Sequence, residues 1–342
     1  VREIVIVIAD LYLPEAGVAA PASVAGEWHA LPGFEQAARF GRRTALSGGW
    51  RPWLAQRLGR ADLADAALAA VAAAALPERP DAARGTDWIA TPLHLSAGLT
   101  RVHLDHRGLI ALTPQEQALL AADFQRTFAP GAELSALVSG DFLLRATALA
   151  PLAAIEPARR AGMEVADALP RAAQAGALRR LLAEIEMWLH LQPLNETRRQ
   201  QGALPVTTLW LWGAEGRMIR PGPPSTAAHA VSAYGRDAWL AGLMRLQGGE
   251  LHRLPAQLAA APAPLTVWVL EAGAELQRAG AGTLAEALGR LDERFVSAAV
   301  AALRRGAAER LTLLLNDCAV TLTRRSRWRL WRRRRAGLEG FR

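Results

Sequence analysis

Residues 3–10 read EIVIVIAD, five β-branched residues in succession from Ile4 to Ile8 and then Ala9 and Asp10. An unbroken apolar run of this length suits a central parallel strand covered on both faces, because a strand with one wet face would alternate. Asp10 then falls at the C-terminal end of the strand, the edge at which open α/β sheets meet their ligands. Working outward, a Pro-, Gly- and Ala-rich stretch follows at 14–32. Helical patterns come next at about 34–46 and 61–76, and a polar, Pro-bearing linker at 77–85. The far end repeats this order: strand AAHAVSAY (227–234), helix 236–247, strand LTVWVLEA (265–272), helix 284–304, then strands RLTLLLND (310–317) and AVTLTRR (319–325). Strand and helix alternating at both ends predict an α/β fold with a doubly wound, mostly parallel sheet.

The texture changes between Asp87 and Ala148. WIATPLHL (88–95) and LTRVHLDH (99–106) read as strands, and LIAL (109–112) follows a turn at Arg107-Gly108. Thr113, Pro114 and Glu116 occupy the N-cap, first-turn and capping-box positions of a helix running to about Phe128. ELSALVS and FLLRATAL read as a hairpin around Gly140-Asp141. The expected division is therefore a body of residues 1–85 and 171–342 interrupted by an inserted α+β domain, 86–170. Beyond the insert, a long amphipathic helix (174–190) and a short one opened by Pro193 and closed by Gly202 lead to the strand VTTLWLWG (206–213), read as part of the body.

The 342 residues are about two domains' worth. With 51% hydrophobic and 21% charged residues the chain is globular in composition. Its net charge is +8, and every one of its 40 basic residues is Arg. The excess is local: residues 324–335, RRSRWRLWRRRR, hold eight Arg and no acid, and the rest of the chain balances its charges. Arg interleaved with Trp328 and Trp331 is a footprint of single-stranded nucleic acid or an anionic surface, and equally of a final strand whose Trp side chains dock while Arg stays solvated. The single Cys318 excludes an intrachain disulfide and fits a reducing compartment, so a cytoplasmic location is expected. No apolar run is long enough to span a membrane, and the first ten residues lack the features of a signal peptide.

Acids at strand ends are the first chemical candidates. Asp10 and Asp317 each follow an apolar run, where carboxylates on rigid supports suit a divalent metal, and the adjacent Cys318 offers a thiolate. Turn and cap roles for the acids, and a plain buried thiol, are the competing readings. Asp105-His106 is adjacent on a strand and so would point to opposite faces. Arg198, Arg199, Arg217 and Arg220 bracket VTTLWLWG, where Arg suits phosphate, although Arg clustering is ordinary in so Arg-rich a chain. HExxH, CxxC, GxSxG, Walker A and GxGxxG motifs are all absent, which removes the standard zinc, serine-hydrolase and nucleotide signatures.

The segment LLAEIEMWLHLQPLNETRRQQGALPVTTLWLWGAEG (181–216) resembles the stretch L-x-x-H-P-x-N-x-x-R-x-x-x-G-x-x-x-A-N-x-x-W-x-W-G of archaeal-type, cofactor-independent phosphoglycerate mutases, members of the alkaline phosphatase superfamily. Together with WIATPLHL and RWRLWRRRR (327–335), it is similar to a group of phosphoglycerate-mutase-like proteins called RpfE-type regulatory proteins. The resemblance implies an alkaline-phosphatase-like sheet with a smaller inserted domain. It also implies a Ser or Thr nucleophile and two metals held by Asp and His, which would lower the nucleophile's pKa and stabilise the transferring phosphoryl group. Asp10 matches the first-strand metal Asp, with Leu11 in place of the following Gly. GGWRPWLAQ (48–56) stands where the nucleophile belongs and carries Trp53 and Leu54 instead of Ser and Asp, leaving Ser47 as the nearby hydroxyl. Asp317-Cys318 matches an Asp-His pair with the His replaced. Glu271 has no following His, and Pro157-Ala158-Arg159 lacks ligands. Asn195 and Arg198 match, and Thr208 replaces the later Asn.

Losing the nucleophile removes the covalent intermediate, and losing imidazoles weakens a two-metal site. The expectation is a catalytically degenerate protein without a cofactor. Asn195, Arg198 and Thr208 are expected to bind a small phosphorylated ligand, and the role is expected to be regulatory through a protein partner. The alternatives are a residual metal-dependent phosphomutase or phosphohydrolase using Asp10, Asp317, Cys318 and Ser47 with Mn, Mg or Zn, and a nucleic-acid-binding protein acting through 324–335.

Overall fold

All six residues of the first strand, Glu3–Ile8, are buried, as a strand covered on both faces requires. The computed structural model describes residues 2–13, 30–77, 85–98, 101–165, 175–219, 231–259, 263–278, 282–328 and 337–341. In chain order its elements are β1 (Glu3–Ile8), α1 (Pro32–Phe40), β2 (Arg42–Ala45), α2 (Trp50–Arg57), α3 (Leu68–Ala73), β3 (Thr86–Leu93), β4 (Ser96–Ala97) and β5 (Val102–Leu104). Then follow α4 (Pro114–Phe128), β6 (Ala132–Ala136), β7 (Phe142–Ala146), β8 (Met163–Glu164), α5 (Gly176–His190), α6 (Pro193–Gln200) and β9 (Thr208–Trp212). The last are β10 (Val231–Tyr234), α7 (Ala238–Leu246), β11 (Leu251–His252), β12 (Leu265–Leu270), α8 (Ala272–Arg278), α9 (Leu284–Leu291), α10 (Ser297–Arg305), β13 (Arg310–Leu315) and β14 (Cys318–Thr323). Two compact units result. The first comprises Val1–Ala64, Pro224–Arg236 and Gln247–Arg342, and the second Asp65–Pro223 and Asp237–Leu246.

The first unit is a mixed α/β structure around a seven-stranded sheet of order β11-β10-β12-β1-β13-β14-β2. The strands from β11 to β13 are mutually parallel, and β14 and β2 close the edge antiparallel. The mostly parallel α/β sheet read from the sequence is thus present. Its core gathers Ile4, Ile6 and Ile8 with Trp268, Leu311 and Leu313 from neighbouring strands and Phe34, Leu288 and Phe295 from helices. A π-turn at Asp292–Val296 joins α9 to α10. Asp292 on that turn accepts the Gly33 and Phe34 amides at 3.0 and 2.9 Å and so caps α1. A Cβ on Gly33 would lie 2.5 Å from the Asp292 carboxylate, so this cap requires glycine.

The second unit carries an antiparallel sheet, β6-β7-β3-β9, and a small one, β4-β5-β8. The capping box of α4 forms as read, with Thr113 and Glu116 exchanging hydrogen bonds, and β6 and β7 make the expected hairpin. On one sheet face Phe142 and Leu209 meet Phe124, Leu182 and Ile185. On the other, Ile89 and Trp212 meet α3.

Several sequence expectations need correction. The segment 34–46 is not one helix, because α1 ends at Phe40, with Gly41 as its C-cap, and Arg42–Ala45 pairs with β14. Residues 61–76 form a single 3-10 turn and the short α3. LIAL contributes only one bridge, Leu109 to Leu93. VTTLWLWG belongs to the second unit, where β9 pairs with β3. That unit contains the whole of 86–170 and extends past it on both sides, since α5, α6 and β9 complete its core and sheet. The stretches at 14–29, 78–84 and 329–336, with Arg220 and Trp331, lie outside the described residues.

Candidate functional site

The C-terminal end of the parallel sheet is where the strand-end acids were expected to act. Asp10 lies there just past β1, and its two carboxylate oxygens accept the Ala272 and Gly273 amides at 2.7 and 2.6 Å. It therefore caps the first turn of α8. Burial, with the neighbouring charge of Glu271, pushes its pKa from 3.8 to about 6, even though the amides pull the other way. Glu271 in turn accepts the Arg236 Nε at 2.6 Å.

Asp317 occupies the two-residue turn between β13 and β14. Asn316 and Asp317 have φ of 49° and 51°, the left-handed pair that a tight hairpin with matching strand twist demands. The Asn316 side chain accepts the Leu13 amide and donates to the Phe341 carbonyl, both at 2.9 Å. Cys318 is buried, and its Sγ accepts the Arg43 Nε at 3.1 Å. Ser47 sits in an exposed turn before α2, and Trp53 and Leu54 lie within that helix.

These residues do not fit a two-metal centre. Asp10 directs both oxygens to amides, a guanidinium faces the Cys318 sulfur, and a cation there opposes a second cation. Among the described residues no group of three or more His, Cys, Asp or Glu is placed to hold a metal.

Asn195, Arg198 and Thr208 all lie in the second unit. Asn195 is buried on α6, donates from Nδ2 to the Leu189 and Val206 carbonyls at 2.8 Å each, and accepts the Val206 amide at 2.7 Å. One side chain thus ties the end of α5, the start of α6 and the approach to β9. Arg198 donates to the Leu204 carbonyl at 2.7 Å and pairs with Glu116. Burial opposes the charge on Glu116, but the Thr113 amide and the Arg198 guanidinium outweigh it and hold the carboxyl below its ordinary value. Thr208 opens β9 and is buried.

Among the described residues the histidines do not assemble. His94 Nδ1 lies 2.9 Å from the Pro205 carbonyl. Asp105 accepts the Arg107 amide, capping a 3-10 turn. His106 is buried with Nε2 unpartnered, and burial lowers its pKa.

A cavity of about 530 Å³ in the second unit was not foreseen. Among the described residues it lies between α5, β9 and the β4–β5 pair, with Leu178, Leu182, Val102 and Trp210 in its wall. Leu178 and Leu182 stand four apart on α5 and read in sequence as ordinary core positions, so no local signal marked it.

No family model matches the chain, and no curated protein matches it. Among solved structures it is similar to a cofactor-independent phosphoglycerate mutase from Thermoplasma acidophilum, at 13% identity and a TM-score of 0.33 over 94% of this chain and 90% of that one. It is also similar to the PH0037 protein from Pyrococcus horikoshii, at 11% identity and a TM-score of 0.43 over 94% and 87% of the two chains.

Proposed function

We propose that the chain is a catalytically degenerate phosphoglycerate-mutase-like protein of the RpfE-type group, with a regulatory or interaction role in the cytoplasm. The observation that carries this reading is the engagement of Asp10: the one acid matching the first-strand metal ligand serves as a helix cap. Asn195 supports it, because the matching Asn directs its amide into the backbone of its own unit. The mutase relationship itself rests on the residue pattern at 181–213. Among the described residues no helix is long and apolar enough to cross a membrane.

The test is turnover. Purified protein is assayed for interconversion of 2- and 3-phosphoglycerate and for p-nitrophenyl phosphate hydrolysis with Mn, Mg or Zn added, and its metal content is measured. The expected result is background turnover and no stoichiometric metal. Robust metal-dependent turnover that disappears in Asp10→Asn overturns the proposal in favour of a residual phosphomutase or phosphohydrolase.

A further inference from the structure

The cavity in the second unit is independent of the strand-end acids, and the character of its wall selects a ligand. Its volume of about 530 Å³ falls within the range of small-molecule sites. Two of the polar side chains in the wall, Thr207 and Trp210, are already used, which leaves the Thr208 hydroxyl. The Thr207 hydroxyl donates to the Leu93 carbonyl and accepts the Leu95 amide, and the Trp210 indole N–H donates to the Ile155 carbonyl. A sugar phosphate or nucleotide entering here loses its hydration against aliphatic side chains and gains few hydrogen bonds in return. A hydrocarbon chain loses nothing and is removed from water.

The charged residues of the wall sit at its opening. Arg179 and Glu186 are both exposed on α5 and both line the cavity. Seven residues apart on a helix, they stand about 10 Å from each other along the axis. A carboxylate head group is attracted to the Arg179 end and kept from the Glu186 end, and a guanidinium suits carboxylate geometry. We propose that this cavity binds one long-chain carboxylate, its chain inside and its head group at Arg179.

The experiment uses the full chain and cis-parinaric acid as a fluorescent probe, with displacement by dodecanoate and by dodecanol. Saturable binding at one site per chain is expected. Ala183 on α5 and Ala97 on β4 line the cavity and are exposed, so Ala183→Trp and Ala97→Trp obstruct it from opposite sides without entering the core. Each is expected to weaken probe binding about tenfold or more, with circular dichroism and melting temperature unchanged. Ala177→Trp, exposed on the same helix, is the control and leaves binding intact. Arg179→Ala is expected to weaken dodecanoate about three- to tenfold and to leave dodecanol unchanged. Absence of saturable binding, or binding indifferent to both cavity substitutions, overturns the site. Equal effects of Arg179→Ala on dodecanoate and dodecanol overturn the carboxylate assignment.

Discussion

Asn195 separates a ligand-binding role from an architectural one, and substitution tells them apart. Asn195→Ala removes three hydrogen bonds at once and orphans the Val206 carbonyl and amide, while the Leu189 carbonyl keeps the Gln192 amide. Leu189 and Val206 are buried, so water cannot replace what is lost. At roughly 1–2 kcal/mol for each of the two orphaned groups, the variant loses about 2–4 kcal/mol of stability in the second unit. Asn195→Asp is instructive in a different way. It keeps an acceptor for the Val206 amide but turns a carboxylate oxygen towards two carbonyls, so at neutral pH it destabilises at least as much as alanine. Acidification returns one donor and recovers part of the loss. Urea unfolding read by fluorescence gives the magnitude, and hydrogen exchange over peptides covering 176–212 localises it. A loss below about 1 kcal/mol in Asn195→Ala, or faster exchange confined to the first unit, refutes the reasoning and returns Asn195 to the candidate ligand-binding residues.

Further predictions follow from other contacts. Asp87 and Arg145 face each other across β3 and β7 in a buried, two-bonded ion pair, so Arg145→Met alone is expected to cost about 3–5 kcal/mol while Asp87→Leu with Arg145→Met costs much less, read by thermal melts of the three proteins. The folded-state pKa of Asp10 is raised to about 6, so its protonated form is favoured on folding: its contribution is fully present below 3.8 and is lost as pH rises through 6, by up to about 3 kcal/mol. Asp10→Asn should flatten that part of the stability profile between pH 4 and 6.5, and identical profiles for the two proteins in urea melts would falsify the assignment. A Cβ on Gly242 would meet the Val71 carbonyl at 1.8 Å, so Gly242→Ala is expected to force α7 from α3 and lower the melting temperature of the second unit by several degrees, about 1–3 kcal/mol.

Elements whose information is local were readable. The apolar run of β1, the Thr113–Glu116 box of α4, the Gly140 hairpin and the Pro193–Gly202 brackets of α6 each announce themselves within a few residues. Partners distant in sequence hid the rest. Arg42–Ala45 carries no strand pattern of its own and becomes β2 by pairing with β14. VTTLWLWG is correctly a strand, but nothing in it says that β3, with Pro92 in it, is its neighbour. The same holds at the site. Asp10 was visible as a strand-end acid, while the amides that define its role are 262 and 263 residues away. Asn195 shows the converse: its partners are 6 and 11 residues away, yet only the folded path of α5, α6 and β9 reveals that a motif asparagine is a backbone clamp.

The chain on either side of residues 329–336 is fastened to the core of the first unit. Before them, the hydroxyl of buried Ser326 accepts the Thr323 amide at 3.0 Å. After them, Leu338 and Phe341 are buried, Phe341 meets Phe34 edge-on, and its carbonyl accepts from Arg43 and Asn316. Truncation that removes the five Arg among residues 329–336 therefore also removes Leu338 and Phe341. Cutting the chain at 324 would strip apolar anchors from a folded core, and any loss of anion binding would be confounded with unfolding. Replacing Arg329 and Arg332 to Arg335 by Gln changes the charge and leaves the fastening alone.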